Sequence, residues 1–139
     1  MSRLNGTTTL DHLLAAFARE SQANRRYLWF AQQADVEGRP EAAAAFRIIA
    51  DGETGHALDL LDFLADVGDP VTGGPIGDTD DNLAAALAGE TNDAVEGYER
   101  YAAVARDEGL GDVADFFEAL TRAEARHAER LRRVIADGG

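Results

Sequence analysis

The feature that most constrains this chain is an internal repeat. Phe46, Glu53, His56, Ala57 and Leu60 recur as Phe117, Glu124, His127, Ala128 and Leu131, each 71 positions later, and Tyr27 and Gly38 recur as Tyr98 and Gly109 at the same offset of 71. A fixed offset shared by apolar and charged positions describes a duplicated unit. Within each copy the apolar residues step by three and four, the period of an amphipathic helix rather than of a strand. The predicted fold is therefore all-α and built from two copies of a helical hairpin. A pseudo-two-fold axis is expected to relate the copies, and a site on that axis would receive matching side chains from both halves.

Four helices are expected, over about 9–37, 40–67, 80–108 and 112–137. Gly38-Arg39-Pro40 ends the first and begins the second, because glycine closes a helix and proline is tolerated in the first turn of the next. Gly109-Leu110-Gly111 separates the third from the fourth. The segment from Gly68 to Thr79 holds Gly68, Pro70, Gly73, Gly74, Pro75 and Gly77, a density of breakers that no helix tolerates. Short links make antiparallel hairpins, and the long one joins the two hairpins by a crossover, as in ferritin-like four-helix bundles. At 139 residues and 45% hydrophobic content the chain is expected to be one domain with a continuous core.

Composition removes several chemistries. There is no cysteine, so disulfides, zinc ribbons, iron-sulfur clusters and thiol catalysis drop out, and any metal must bind through carboxylate and imidazole. The net charge of −13 argues against nucleic acid and anionic membranes as partners, since both need basic patches. No apolar run is long enough to span a bilayer, and the first residues lack the pattern of a signal peptide; a cytoplasmic location is expected. All 13 basic residues are arginine, a bias that fits either a salt-adapted cytoplasm or a GC-rich genome.

Carboxylates stand where core residues are called for. The second helix reads Phe46, Ile49, Glu53, His56, Leu60, Phe63 along one face, and the fourth reads Val113, Phe117, Leu120, Glu124, His127, Leu131, Val134. Residues three apart on a helix differ by about 60° around the axis and about 4.5 Å along it, so each Glu-x-x-His pair can grip one ion. Glu20 and Glu90 interrupt the apolar stripes of the first and third helices in the same way. Four carboxylates in an apolar interior cost many kcal/mol unless cations neutralise them. One glutamate from each of two helices with a Glu-x-x-His from each of the others is the ligand set of di-iron and di-manganese carboxylate bundles. Oxygen and nitrogen donors suit iron or manganese, and ligand type alone leaves zinc open. A single Glu-x-x-His is most often a solvated ion pair; two in register with two further glutamates are not.

The runs Glu20-Ser21-Gln22-Ala23-Asn24-Arg25-Arg26-Tyr27, Glu53-Thr54-Gly55-His56, Gly89-Glu90 with Tyr98, and Glu124-Ala125-Arg126-His127 resemble the rubrerythrin family from about Leu10 to Ile135. The resemblance implies a ferritin-like protein with two non-haem iron ions, manganese being possible at one position, that reduces hydrogen peroxide to water. It implies Glu20, Glu53, His56, Glu90, Glu124 and His127 as ligands, with Tyr27 and Tyr98 beside them. A ferroxidase or iron-storage protein on the same ligands is the alternative. Full-length rubrerythrins carry a rubredoxin-like domain with four cysteines, which this chain lacks, so the resemblance implies a separate electron donor such as rubredoxin. Asp93 stands where the family has an additional glutamate that exchanges with histidine; being one methylene shorter, it binds directly, through water, or not at all.

Glu20 to Tyr27 spans 7 residues and Glu90 to Tyr98 spans 8, so one residue is extra in the third helix. A π-bulge that turns Glu90 and Asp93 inward is expected to absorb it. Trp29 lies nine residues from Glu20, on the opposite side of its helix, and suggests a subunit contact, with a homodimer expected. His12 has no Glu-x-x-His partner and is expected to be exposed.

Overall fold

The computed structural model describes residues 1–138, with side chains throughout except at 93–95. Five helices account for most of the chain: α1 (Thr8–Val36), α2 (Pro40–Leu64), α3 (Thr79–Glu90), α4 (Asp93–Asp107) and α5 (Gly111–Ala136). There is no strand among the described residues, so the fold is all-α as expected. The helices fall into two compact units, Met1–Pro70 and Val71–Gly139, termed hairpin one and hairpin two below.

Hairpin one begins at Thr7, an extended residue whose hydroxyl accepts the Leu10 N–H at 3.1 Å and so satisfies one of the free donors at the start of α1. α1 ends in a glycine-closed turn. Gly38 takes a φ of 71°, which places the Arg39 N–H on the Ala34 carbonyl at 2.8 Å and the Gly38 N–H on Asp35 at 3.1 Å. Pro40 then opens α2, where its missing donor costs nothing. The two helices meet through small side chains: Ala23, Ala31 and Ala34 from α1 and Ala43 and Ala50 from α2 are all buried. Alanine at a crossing lets the backbones approach closely.

Hairpin two repeats this construction. Gly109 has a φ of 78°, the Leu110 N–H reaches the Ala105 carbonyl at 2.8 Å and the Gly109 N–H reaches Arg106 at 3.1 Å. Each of these residues is 71 positions after its counterpart in the first turn. The buried Ala102, Ala105 and Ala114 likewise repeat Ala31, Ala34 and Ala43. α3 starts at Asp78, whose carboxylate accepts the Asp81 N–H at 2.9 Å, and both α3 and α4 pack on α5.

The expected third helix over about 80–108 is instead two helices, and this is the main correction to the expected layout. α3 stops at Glu90 and α4 starts at Asp93. The Thr91 hydroxyl donates to the Leu87 carbonyl at 3.0 Å, the Thr91 N–H turns back to Ala88 at 3.3 Å, and the Asn92 carbonyl accepts the Glu96 N–H at 3.2 Å as the new ladder begins. Threonine and asparagine side chains compete with the helical ladder for backbone partners. The extra residue is therefore absorbed by a break and not by a π-bulge.

Candidate metal centre

Each hairpin gathers two glutamates and one histidine. In hairpin one these are Glu20 from α1 and Glu53 and His56 from α2; in hairpin two they are Glu90 at the end of α3 and Glu124 and His127 from α5. In each group the candidate donor atoms lie within 4.8 Å of one another. The Nδ1 of His56 is 3.8 Å from Glu20 Oε2 and 3.7 Å from Glu53 Oε2. The Nδ1 of His127 is 3.6 Å from Glu90 Oε1 and 3.5 Å from Glu124 Oε2. These separations exceed hydrogen-bond length and suit donors arranged around a common point.

Burial sharpens the chemistry. The Glu53 and Glu20 side chains retain 12% and 18% of their exposure and those of Glu124 and Glu90 retain 21% and 26%, whereas the two imidazoles are more than half exposed. Glu20 Oε2, Glu53 Oε2 and Glu90 Oε2 are buried and accept no hydrogen bond. A buried acceptor without a donor is costly and rare in folded proteins, and an acidic one is the more so. A cation among these oxygens removes that cost, and oxygen and nitrogen donors without sulfur suit iron or manganese. The residues present therefore fit a metal ion in each triad.

The surroundings of the triads are partly matched. Tyr27 stacks on Phe46 at 6.3 Å between ring centroids, with Phe30 at 5.5 Å from Phe46. Tyr98 stacks on Phe117 at 6.1 Å, with Tyr101 at 5.6 Å from Phe117. Among the described residues neither Tyr27 nor Tyr98 is hydrogen-bonded to a triad carboxylate; their rings are parts of these aromatic clusters. The repeat also contains Phe30 and Tyr101 at the offset of 71, a signal that identity matching passes over because the residue types differ. Hairpin one has a polar tie of its own, in which Asn24 Nδ2 donates to the Ala50 carbonyl at 2.8 Å and to Thr54 Oγ1 at 2.7 Å, linking α1 to α2 beside Glu53. Its counterpart position to Thr54 is Ala125, which offers no hydroxyl.

The remaining expected residues divide. Trp29 is 57% exposed, and His12 is exposed. Asp93 is the first residue of α4, and its side chain lies outside the described residues. No helix among the described residues is long and apolar enough to cross a membrane.

An all-helical chain carrying a Glu-x-x-His and a further glutamate in each half defines the class of helical proteins that hold metal through carboxylate and imidazole. Comparison with known proteins narrows the class. The Rubrerythrin family profile matches residues 11–74 and 81–139. The rubrerythrin of Porphyromonas gingivalis is 36% identical over 137 residues, covering 96% of this chain and 68% of that protein. The rubrerythrin of Nitratidesulfovibrio vulgaris is 37% identical over 135 residues, covering 94% and 71%. Rubrerythrin-1 of Clostridium acetobutylicum is 34% identical over 146 residues, covering 97% and 73%. The chain belongs to the rubrerythrin family of di-iron, ferritin-like helical proteins.

Proposed function

We propose that this chain reduces hydrogen peroxide to water at a di-iron centre, with Glu20, Glu53 and His56 holding one ion and Glu90, Glu124 and His127 the other. The observation that carries the reading is the set of three buried carboxylate oxygens, on Glu20, Glu53 and Glu90, that no protein donor satisfies. The reaction consumes two electrons and two protons for each peroxide, and the O–O bond is the one that breaks. Iron held by these residues would supply the two electrons and offset negative charge developing on oxygen.

The protein's own groups do the rest. The glutamates fix the positions of the donor atoms, helped in hairpin one by the Asn24 tie to Ala50 and Thr54. His56 and His127 sit at the open sides of the triads, where solvent can deliver protons. Asp93 is the candidate for adjusting coordination in hairpin two; Tyr27, two turns beyond Glu20 on α1, and Tyr98, on α4 beyond the break that follows Glu90, are the candidates for backing the triads. The reading treats 1–139 as one functional domain, working as a cytoplasmic homodimer. Manganese in place of one iron is compatible with the same donors. None of these 139 residues is a cysteine, so no thiolate-held iron among them passes on electrons, and the reading assigns that task to a donor such as rubredoxin.

Stopped-flow mixing of the anaerobically loaded ferrous protein with peroxide, and separately with oxygen, tests this assignment. Oxidation by peroxide at least about tenfold faster than by oxygen at equal concentration, a barrier difference of ~1.4 kcal/mol, is the expected result. Faster oxidation by oxygen favours an iron-oxidising role instead.

A further inference from the structure

Hairpin one carries an arginine paired with two of its triad carboxylates, a contact that has no counterpart among the described residues of hairpin two. Arg19 precedes Glu20 on α1, and its Nη1 lies 3.4 Å from Glu20 Oε1 and 3.9 Å from Glu53 Oε2. Glu20 and Glu90 are 70 positions apart, so the residue matching Arg19 in hairpin two is Gly89 (19 + 70 = 89). Among the described residues no arginine is ion-paired with Glu90 or Glu124, whose one ion-pair partner is His127; Arg100 and Arg132 line the same cavity as Glu90 but lie beyond ion-pair distance of the triad carboxylates.

The Arg19 contact is one of charge rather than of hydrogen bonding. Glu20 Oε2 and Glu53 Oε2 remain without a donor despite the guanidinium nearby, so the oxygens that face His56 stay free. The Arg19 side chain is itself 66% exposed and has room to swing into solvent.

We propose that Arg19 is a resident counter-ion that makes the two triads unequal, lowering the affinity of the hairpin-one triad for a divalent cation so that Glu90, Glu124 and His127 fill first. This rests on the triads being metal sites. An ion entering hairpin one either meets the repulsion of the guanidinium or displaces it from two carboxylates, and both routes weaken binding there. An ion entering hairpin two displaces no arginine from its carboxylates, since Arg100 and Arg132 stand farther off in that cavity. The exposure of Arg19 screens the effect, so the expected inequality is about threefold to tenfold rather than larger.

The molecule permits the reciprocal change. A Cβ built on Gly89 meets nothing within 4 Å, so a side chain can start there without a clash at its first atom. The test is an anaerobic titration of the metal-free full chain with Mn²⁺, which does not change oxidation state under these conditions, following free ion by electron paramagnetic resonance. The wild-type chain should show two classes of site differing about threefold to tenfold, the gap narrowing as salt is raised. Arg19→Gly should tighten the weaker class and merge the two; Arg19→Lys should keep them apart. Gly89→Arg should weaken the tighter class, and His127→Ala should abolish it, identifying hairpin two as the tight site. Circular dichroism checks that each variant folds, and if Gly89→Arg does not, the Arg19 pair decides alone. Two classes that Arg19→Gly leaves unchanged, or one class in the wild type, overturn the role of Arg19 while leaving the metal sites standing. No Mn²⁺ bound by any variant overturns the metal-site reading together with it.

Discussion

Hairpin one and hairpin two answer the same packing problem with first legs of different construction. In hairpin one α1 runs unbroken for 29 residues, and Glu20 sits within a continuous helix. In hairpin two the same leg is split into α3 and α4, and Glu90 is the last residue of α3. The parts that set the spacing between legs are shared: the glycine-closed turns, the buried alanines and the aromatic clusters around Phe46 and Phe117. An interhelical ion pair is also retained, with its signs exchanged. Arg47 on α2 pairs with Asp35 on α1, while at the positions 71 later Glu118 on α5 accepts from Arg106 on α4 at 2.7 Å. In both hairpins the partner carboxylates raise the arginine pKa above its usual value. The comparison teaches that packing constrains the alanines and rings tightly, while the Coulombic contact requires only opposite charges and the triad only a glutamate beside the Glu-x-x-His.

The largest effect should fall on the shared part. Phe46→Ala and Phe117→Ala should each cost about 2–3 kcal/mol in chemical denaturation, below the range for fully enclosed rings because both are half-buried. Equal losses support matched hairpins; a loss confined to one breaks the match. A smaller difference should separate the first legs. The Thr91 and Asn92 amides at the break should exchange with solvent at least about tenfold faster than those of Ser21 and Gln22, which follow Glu20 in the same way; that is ~1.4 kcal/mol of local opening. Equal protection at the two places would mean that the break is closed in solution. The smallest effect belongs to the exchanged pair. Asp35→Arg should lower stability slightly by placing two arginines together, and Asp35→Arg with Arg47→Glu should regain it by adopting the arrangement of hairpin two. Failure of the double variant to recover would show that the sign exchange is not neutral.

Much of this architecture was legible in the amino-acid order. Glu53, His56, Glu124 and His127 stand out because a charged residue on an apolar helical stripe contradicts the pattern around it, and the offset of 71 ties the pairs together. Glycine and proline mark the turns at Gly38 and Gly109 because the backbone there needs a positive φ. The break at Thr91 was not legible as a break. No glycine or proline stands at 91 or 92, and the interruption is made by a threonine hydroxyl turning back on Leu87, a competition that leaves only the one-residue surplus as its trace. Matching by identity also passes over Asp35 with Arg106 and Arg47 with Glu118, since the repeat there preserves an interaction and not a residue type. Arg19 is passed over for a related reason: it lies outside every motif, and only its distance to two carboxylates gives it meaning. The stripes themselves overstate burial, for Ile49 and Phe63 remain 46% and 51% exposed, the closest helix contacts being made by alanine.

The central claim is that the two triads are cation sites, and counting metal tests it most directly. After anaerobic loading with ferrous iron and removal of excess, the wild-type chain should retain two ions, and Glu53→Ala and Glu124→Ala should each retain fewer than two while staying helical. Full occupancy in both variants, or none in the wild type, contradicts the account.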